Sequence, residues 1–146
     1  MTALAPALLN PRRIALVGAS ADPTRLTARA QVYLRKHGFD GELFPVNPRA
    51  ETILGEKSYP SIAAIPGPVD PAYLLLATEH VEGVIADVAA KGIPVAAILA
   101  DGFAEAGPEG IARQERLLAT ARAAGEHILG PNSLGFINLN SRTACS

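Results

Sequence analysis

A glycine followed by small and polar residues ends the first apolar run of the sequence. The run covers residues 14–17, and the segment after it reads Gly18, Ala19, Ser20, Ala21, Asp22 and Pro23. This sequence of a buried strand, a tight turn and a helix start favours the binding of a phosphate group. Free backbone N–H groups and the helix dipole attract negative charge there. The segment therefore predicts a nucleotide-binding turn.

This turn lacks the full dinucleotide fingerprint G-x-G-x-x-G. Only Gly18 matches it, since Ser20 and Pro23 stand at the other two glycine positions. Asp22 would bring a negative charge close to a bound phosphate. We interpret Asp22 as the N-cap of the next helix, with Pro23 at the first helical position.

A basic residue follows the second apolar run, residues 43–46. The next three residues are Asn47, Pro48 and Arg49, where an NAD site would have Asp or Glu for the ribose hydroxyl. An arginine suits a ribose phosphate instead, because its planar fork can hold two phosphate oxygens. The pattern points to NADP or coenzyme A, while an ordinary surface arginine stays open as the alternative for Arg49.

Other kinds of chemistry find little support in the sequence. The turn around Ser20 resembles the nucleophile elbow of serine hydrolases but lacks its second glycine. His37, His80 and His127 are scattered, without the spacing of metal ligands. Cys145, the single cysteine, is expected in a frayed terminal tail and carries no signature of a reactive thiol.

The elements that must position these residues alternate between short apolar runs and amphipathic segments. The runs are residues 14–17, 43–46, 73–76, 95–99 and 128–129. Continuous apolar runs are typical of strands buried on both faces of a parallel sheet. The predicted helices cover residues 23–37, 79–91 and 108–124, with a short helix at 61–64. This predicts an α/β fold: a Rossmann-like, doubly wound parallel sheet of about five strands in the order 3-2-1-4-5. Ligands would bind at the switch point between strands one and four.

Length and composition narrow the class of protein. The 146 residues suffice for one domain with its own core, and 49% of them are hydrophobic, which excludes a disordered chain. Thirteen basic residues against fourteen acidic ones argue against a nucleic-acid partner. The apolar runs are too short for a membrane helix. We therefore expect no membrane partner. The one cysteine can form no internal disulfide, which favours a reducing compartment, so we expect a cytoplasmic domain.

Several segments in order resemble the NDP-forming acyl-CoA synthetases, the family of the succinyl-CoA synthetase α subunit and the ADP-forming acetyl-CoA synthetases. The matching segments are residues 13–23, 44–49, 53–55, 59–61, 101–107 and 130–135. The resemblance implies a domain that binds coenzyme A. It departs from the family where Ser133 replaces a cysteine and where the first loop has fewer glycines.

The resemblance also implies which residues contact coenzyme A. Ser20, Ala21, Asp22 and Pro23 match the family's first CoA loop, and Arg49 matches its phosphate-binding basic residue. Thr78 falls in the loop after the third strand. The full set of candidates is Gly18, Ala19, Ser20, Ala21, Asp22, Pro23, Asn47, Pro48, Arg49, Thr78, Leu99, Ala100, Asp101 and Asn132.

By the same resemblance, residues 1–146 form one domain, the N-terminal part of a longer acid–thiol ligase. The family's phosphohistidine and ATP-grasp module belong to other domains, so this domain alone should not catalyse the ligase reaction. Two alternatives remain: a freestanding CoA-binding regulatory module, and an NADP-binding oxidoreductase domain.

Overall fold

The computed structural model of the protein describes residues 4–146. Within these residues, five parallel strands form the central sheet, and four α-helices and two small hairpins surround it. The helices are α1 (Leu4–Leu9), α2 (Leu26–Lys36), α3 (Thr78–Lys91) and α4 (Pro108–Ala123). The strands are β1 (Arg13–Val17), β2 (Glu42–Val46), β3 (Thr52–Ile53), β4 (Glu56–Lys57), β5 (Pro71–Leu74), β6 (Val95–Ile98), β7 (His127–Leu129), β8 (Phe136–Asn138) and β9 (Thr143–Cys145).

The central sheet has the order β2-β1-β5-β6-β7, with all neighbours parallel. The predicted α/β class, with five strands in a doubly wound sheet, is confirmed. The predicted order 3-2-1-4-5 is wrong: counted along this sheet, the order is 2-1-3-4-5, because β5 pairs with β1 directly. The switch point therefore lies between β1 and β5.

Side chains of the strands alternate between two apolar layers. In β1, Ile14 and Leu16 pack with Leu34 of α2, whereas Ala15 and Val17 pack in the layer that contains α3 and α4. All four of these strand residues are almost fully buried. Continuous burial on both faces explains why the strands appear in the sequence as unbroken apolar runs.

The largest difference between the predicted and observed bounds of the long helices is at the start of α2. The second helix begins at Leu26, with Arg25 as its N-cap, so Asp22 is not the cap and Pro23 is not the first helical residue. Asp22 instead closes a turn, in which its backbone oxygen accepts from Arg25 N–H at 3.2 Å. No helix forms at residues 61–64, which make a turn between two prolines.

The C-terminal hairpin of β8 and β9 is part of the fold. Cys145 is fully buried in the layer beside α2, so the expectation of a frayed tail is wrong. A Cβ at Gly135 would lie 1.8 Å from the Cys145 oxygen, which shows how closely the two strands approach. Burial raises the pKa of the Cys145 thiol. Among the described residues, no helix has both the length and the apolar character needed to span a bilayer.

Candidate functional site

A cleft of about 520 Å³ opens at the carboxyl ends of β1, β2 and β5, at the switch point of the sheet. The loops after β1 and β2 form its rim and α3 forms one wall. The residues that line it are Val17, Gly18, Val46, Asn47, Pro48, Arg49, Pro60, Ser61, Ile62, Leu76, His80, Gly83, Val84 and Asp87. Its volume lies within the range of small-molecule sites.

Gly18 lets the loops after β1 and β5 approach each other. It has φ +88°, and a Cβ there would lie 2.5 Å from the Leu75 oxygen and 2.7 Å from Leu76 Cδ2. Both the backbone conformation and the close contact require glycine. Its N–H donates to the Val46 oxygen at 2.9 Å, so the turn is also anchored to β2.

Asn47 ties the rim of the cleft together. Its Nδ2 donates to the Ala19 oxygen at 3.1 Å, and its Oδ1 accepts from the backbone N–H of Arg49 at 2.9 Å. Its own N–H donates to the Tyr59 oxygen at 2.9 Å. One amide side chain therefore fixes the position of the β2 loop relative to the β1 loop.

Arg49 is the cation at the rim of the cleft. It is exposed, and within residues 4–146 no carboxylate forms an ion pair with its guanidinium. Its fork is thus available for an anionic ligand, and it stands beside an apolar floor that includes Val17, Val46 and Leu76. A cation beside an apolar floor suits a ligand with a flat ring and a phosphate.

The rest of the first loop lies beside the cleft and is organised by Asp22. Its Oδ1 accepts from the Thr24 hydroxyl at 2.7 Å and from Thr24 N–H at 3.0 Å. The hydroxyl hydrogen bond is the main reason that the pKa of Asp22 lies below its usual value. Arg25 Nε stands 3.8 Å from the carboxylate and partly balances its charge. Ser20 Oγ accepts from Asp22 N–H at 3.1 Å.

Candidates from the later loops form a second group at the same edge of the sheet. Thr78 Oγ1 donates to the Asp101 oxygen at 2.8 Å, and Asn132 N–H donates to the Ala100 oxygen at 2.8 Å. Asn132 has φ +56°, in the left-handed region. Leu99 is partly buried against the layer that contains α2.

The structure thus brings some of the sequence candidates together and separates others. Four of them line the cleft: Gly18, Asn47, Pro48 and Arg49. The others are not among its lining residues: Ala19, Ser20, Ala21, Asp22, Pro23, Thr78, Leu99, Ala100, Asp101 and Asn132. Sequence reasoning missed the other lining residues: Val17, Val46, Pro60, Ser61, Ile62, Leu76, His80, Gly83, Val84 and Asp87.

The strand order explains why the missed residues that follow β5 were not found. The predicted switch point put the loop after β6 next to the loop after β1, whereas β5 occupies that place. Leu76 and α3 follow β5 directly, so they form the wall. One signal was visible in the sequence: Gly83 interrupts the α3 segment at a place where no cap or turn needs a glycine.

The sequence is similar to those of several known proteins. The acetate–CoA ligase [ADP-forming] II of Archaeoglobus fulgidus is 39% identical over 131 residues, which cover 90% of this chain and 20% of the relative. The alpha subunit of acetate–CoA ligase [ADP-forming] II of Pyrococcus furiosus is 36% identical over 132 residues, 90% of this chain and 29% of the relative.

A solved structure has the same fold. It is the dinucleotide forming acetyl-coenzyme A synthetase 1 of Ca. Korarchaeum cryptofilum in complex with phosphate and ADP, with a TM-score of 0.94 and 33% identity. The match covers 99% of this chain and 31% of that one. The chain thus spans less than a third of the length of these relatives.

The family model described as a CoA binding domain matches residues 12–138, which is most of the chain. The match begins just before β1 and ends with β8, so it includes the whole central sheet and the cleft. The resemblance found in the sequence motifs is confirmed, and the chain belongs to the CoA binding domain family.

Proposed function

We propose that this domain holds the nucleotide half of coenzyme A in the cleft between the loops after β1 and β2 and the wall formed by α3. The observation that carries the proposal is the cleft at the switch point, where Arg49 stands at the rim of an apolar floor. Coenzyme A combines a flat adenine ring with phosphate groups, and the cleft offers a complementary surface to both.

The residues of the cleft fit this ligand. The adenine ring would lie on the side chains of Val17, Val46 and Leu76. Arg49 would hold a phosphate through charge-assisted hydrogen bonds. Gly18 leaves its backbone free of a side chain at the turn, so that the phosphates can come close to the main chain. When bound, coenzyme A supplies a thiol, and this domain's part is to bind and orient it.

Isothermal titration calorimetry of the folded chain with CoA tests the proposal. We expect saturable heat with one site per chain. A folded protein that gives no heat at millimolar CoA would overturn it. Titration with NADP is the matching control for the oxidoreductase alternative, and NADP binding tighter than CoA binding would favour that alternative.

We further infer that the domain works as the N-terminal part of an acid–thiol ligase that includes an ATP-grasp module. Such a ligase forms an acyl phosphate and ADP from the acid and ATP, and the CoA thiol then displaces inorganic phosphate. The relatives named as ADP-forming ligases and their greater length support this inference.

An exposed apolar surface supports the inference that a partner domain covers this part of the chain. Leu134, Ile137 and Leu139 are 66%, 60% and 85% exposed, and Leu9 beside them is 58% exposed. The oxygen of Leu9 accepts from Ser141 Oγ at 2.9 Å, which places α1 next to this hairpin. A cluster of exposed hydrophobic side chains is typical of a protein interface.

Hydrogen–deuterium exchange of residues 134–139 tests this part of the proposal. We expect slower exchange in the complete gene product, with any partner subunit, than in the 146-residue chain. Leu139→Lys should remove the difference, whereas Ile111→Lys, at an exposed apolar residue of α4, should not. Equal exchange in both forms, or a gene product no longer than this chain and without a partner subunit, would overturn it.

A further inference from the structure

We propose that Gly83 sets the width of the cleft for a purine ring, so that the adenine of the ligand lies against the α3 wall. This inference rests on the proposed CoA site. Gly83 is in the interior of α3 and has an ordinary helical backbone. A Cβ there would meet no heavy atom within 4 Å.

Neither backbone conformation nor close packing therefore explains this glycine. A glycine in the interior of a helix costs stability relative to alanine, because it loses more conformational freedom on folding. Gly83 does line the cleft, between Val84 and His80 on the same wall. What its missing side chain provides is free space inside the cleft.

The two walls cannot separate easily to make room for a larger side chain. On the facing wall, Ile62 is 3% exposed and packs into the same layer as Val81 and Ile85 of α3. Lys91, at the end of α3, donates a hydrogen bond from Nζ to the Ile65 oxygen. Because this interior is closely packed, a methyl group at position 83 would narrow the cleft.

The groups around Gly83 suit a flat base with polar edges. Leu76 and Val84 provide an apolar surface for the face of the ring. His80 and Asp87 stand about one helical turn before and after Gly83 and also line the cleft. They supply a donor or acceptor imidazole and an acceptor carboxylate for ring nitrogens and an exocyclic amino group.

Calorimetry with CoA and with ADP tests the inference on Gly83→Ala, Gly83→Val and the control Ala86→Val. Ala86 is exposed on the same helix and is not among the cleft-lining residues. We expect Gly83→Val to lower the affinity for both ligands by roughly tenfold or more. The affinities of the control should stay within about twofold of the wild type. Gly83→Ala should raise the thermal midpoint of unfolding and still weaken binding.

The outcomes separate this inference from the proposed function. If the wild-type chain binds CoA and both Gly83 variants bind it equally well, the role of Gly83 is overturned and the CoA site stands. If the wild-type chain binds neither CoA nor ADP, both are overturned. Should Gly83→Val fail to fold, Gly83→Ala decides, because alanine stabilises a helix.

Discussion

Asn47 Nδ2 donates a hydrogen bond to the Ala19 oxygen at 3.1 Å, and this bond ties together the loops after two neighbouring strands. The same side chain accepts from Arg49 N–H at 2.9 Å. The backbone of Arg49, the cation at the cleft rim, is thus positioned relative to the turn at Gly18 through a single amide. In the proposed CoA site, Asn47 would therefore act on the ligand through its neighbours.

Replacement of this amide should loosen the rim. Asn47→Ala removes two hydrogen bonds, so we expect a loss of about 1–2 kcal/mol in the free energy of unfolding and weaker CoA binding. Urea unfolding and calorimetry measure the two effects. Asn140→Ala, at an exposed turn of the β8–β9 hairpin, is the control. Unchanged CoA affinity in Asn47→Ala would show that Asn47 positions nothing in the site.

Arg49→Ala should weaken CoA binding by roughly 1.5–3 kcal/mol, because a charge-assisted hydrogen bond to phosphate is lost. The loss should shrink as salt concentration rises, since an exposed charge is screened. Calorimetry at two ionic strengths measures both effects. Arg122→Ala, an exposed arginine at the end of α4, should bind CoA like the wild type. Equal affinities for both variants would mean that Arg49 is only a surface residue.

The class of fold was predictable from the sequence, whereas the strand order was not. Apolar runs identify buried strands because their side chains pack on both faces. They say little about whether β5 or β6 lies beside β1 on the side away from β2, since both are short apolar runs. The pairing of Leu16 with Tyr73 in β5 is determined by tertiary packing and not by the local sequence. It moves the switch point by one strand.

That one difference explains why the cleft residues that follow β5 were not predicted. Gly18 and Arg49 were predictable because a turn and a strand end show in the sequence. Leu76 and His80 were not, since their place in the cleft depends on β5 lying beside β1. The role of Asp22 was misjudged for a local reason. Its carboxylate accepts hydrogen bonds from the backbone N–H and the hydroxyl of Thr24, which form a turn before the helix starts.

Gly18→Ala should destabilise the fold and the site together. The added Cβ would lie 2.5 Å from the Leu75 oxygen at φ +88°, so the loops after β1 and β5 must move apart. We expect a loss of about 1–3 kcal/mol in the free energy of unfolding and a loss of CoA binding. Gly55→Ala, also at positive φ but with no atom within 4 Å of its Cβ, isolates the backbone cost. Equal losses in both variants would contradict the close contact.

Glu126 should make stability depend on pH, away from the cleft. It lies between α4 and β7, is 6% exposed, and both its carboxyl oxygens are buried without a hydrogen-bond partner among the described residues. Burial raises the pKa of Glu126 from 4.5 to about 7. The folded chain therefore keeps a proton that the unfolded chain releases above pH 4.5.

The sign of the effect follows from this difference in bound protons. The free energy of unfolding should fall by about 3 kcal/mol as pH rises from 4.5 to 7, and level off above that. Glu126→Gln should remove this fall and be the more stable protein above pH 7, because no buried charge forms. Urea unfolding at several pH values measures the difference from wild type, and Glu115→Gln, an exposed carboxylate of α4, is the control. A difference between Glu126→Gln and wild type that stays constant with pH would show that Glu126 does not titrate in this range.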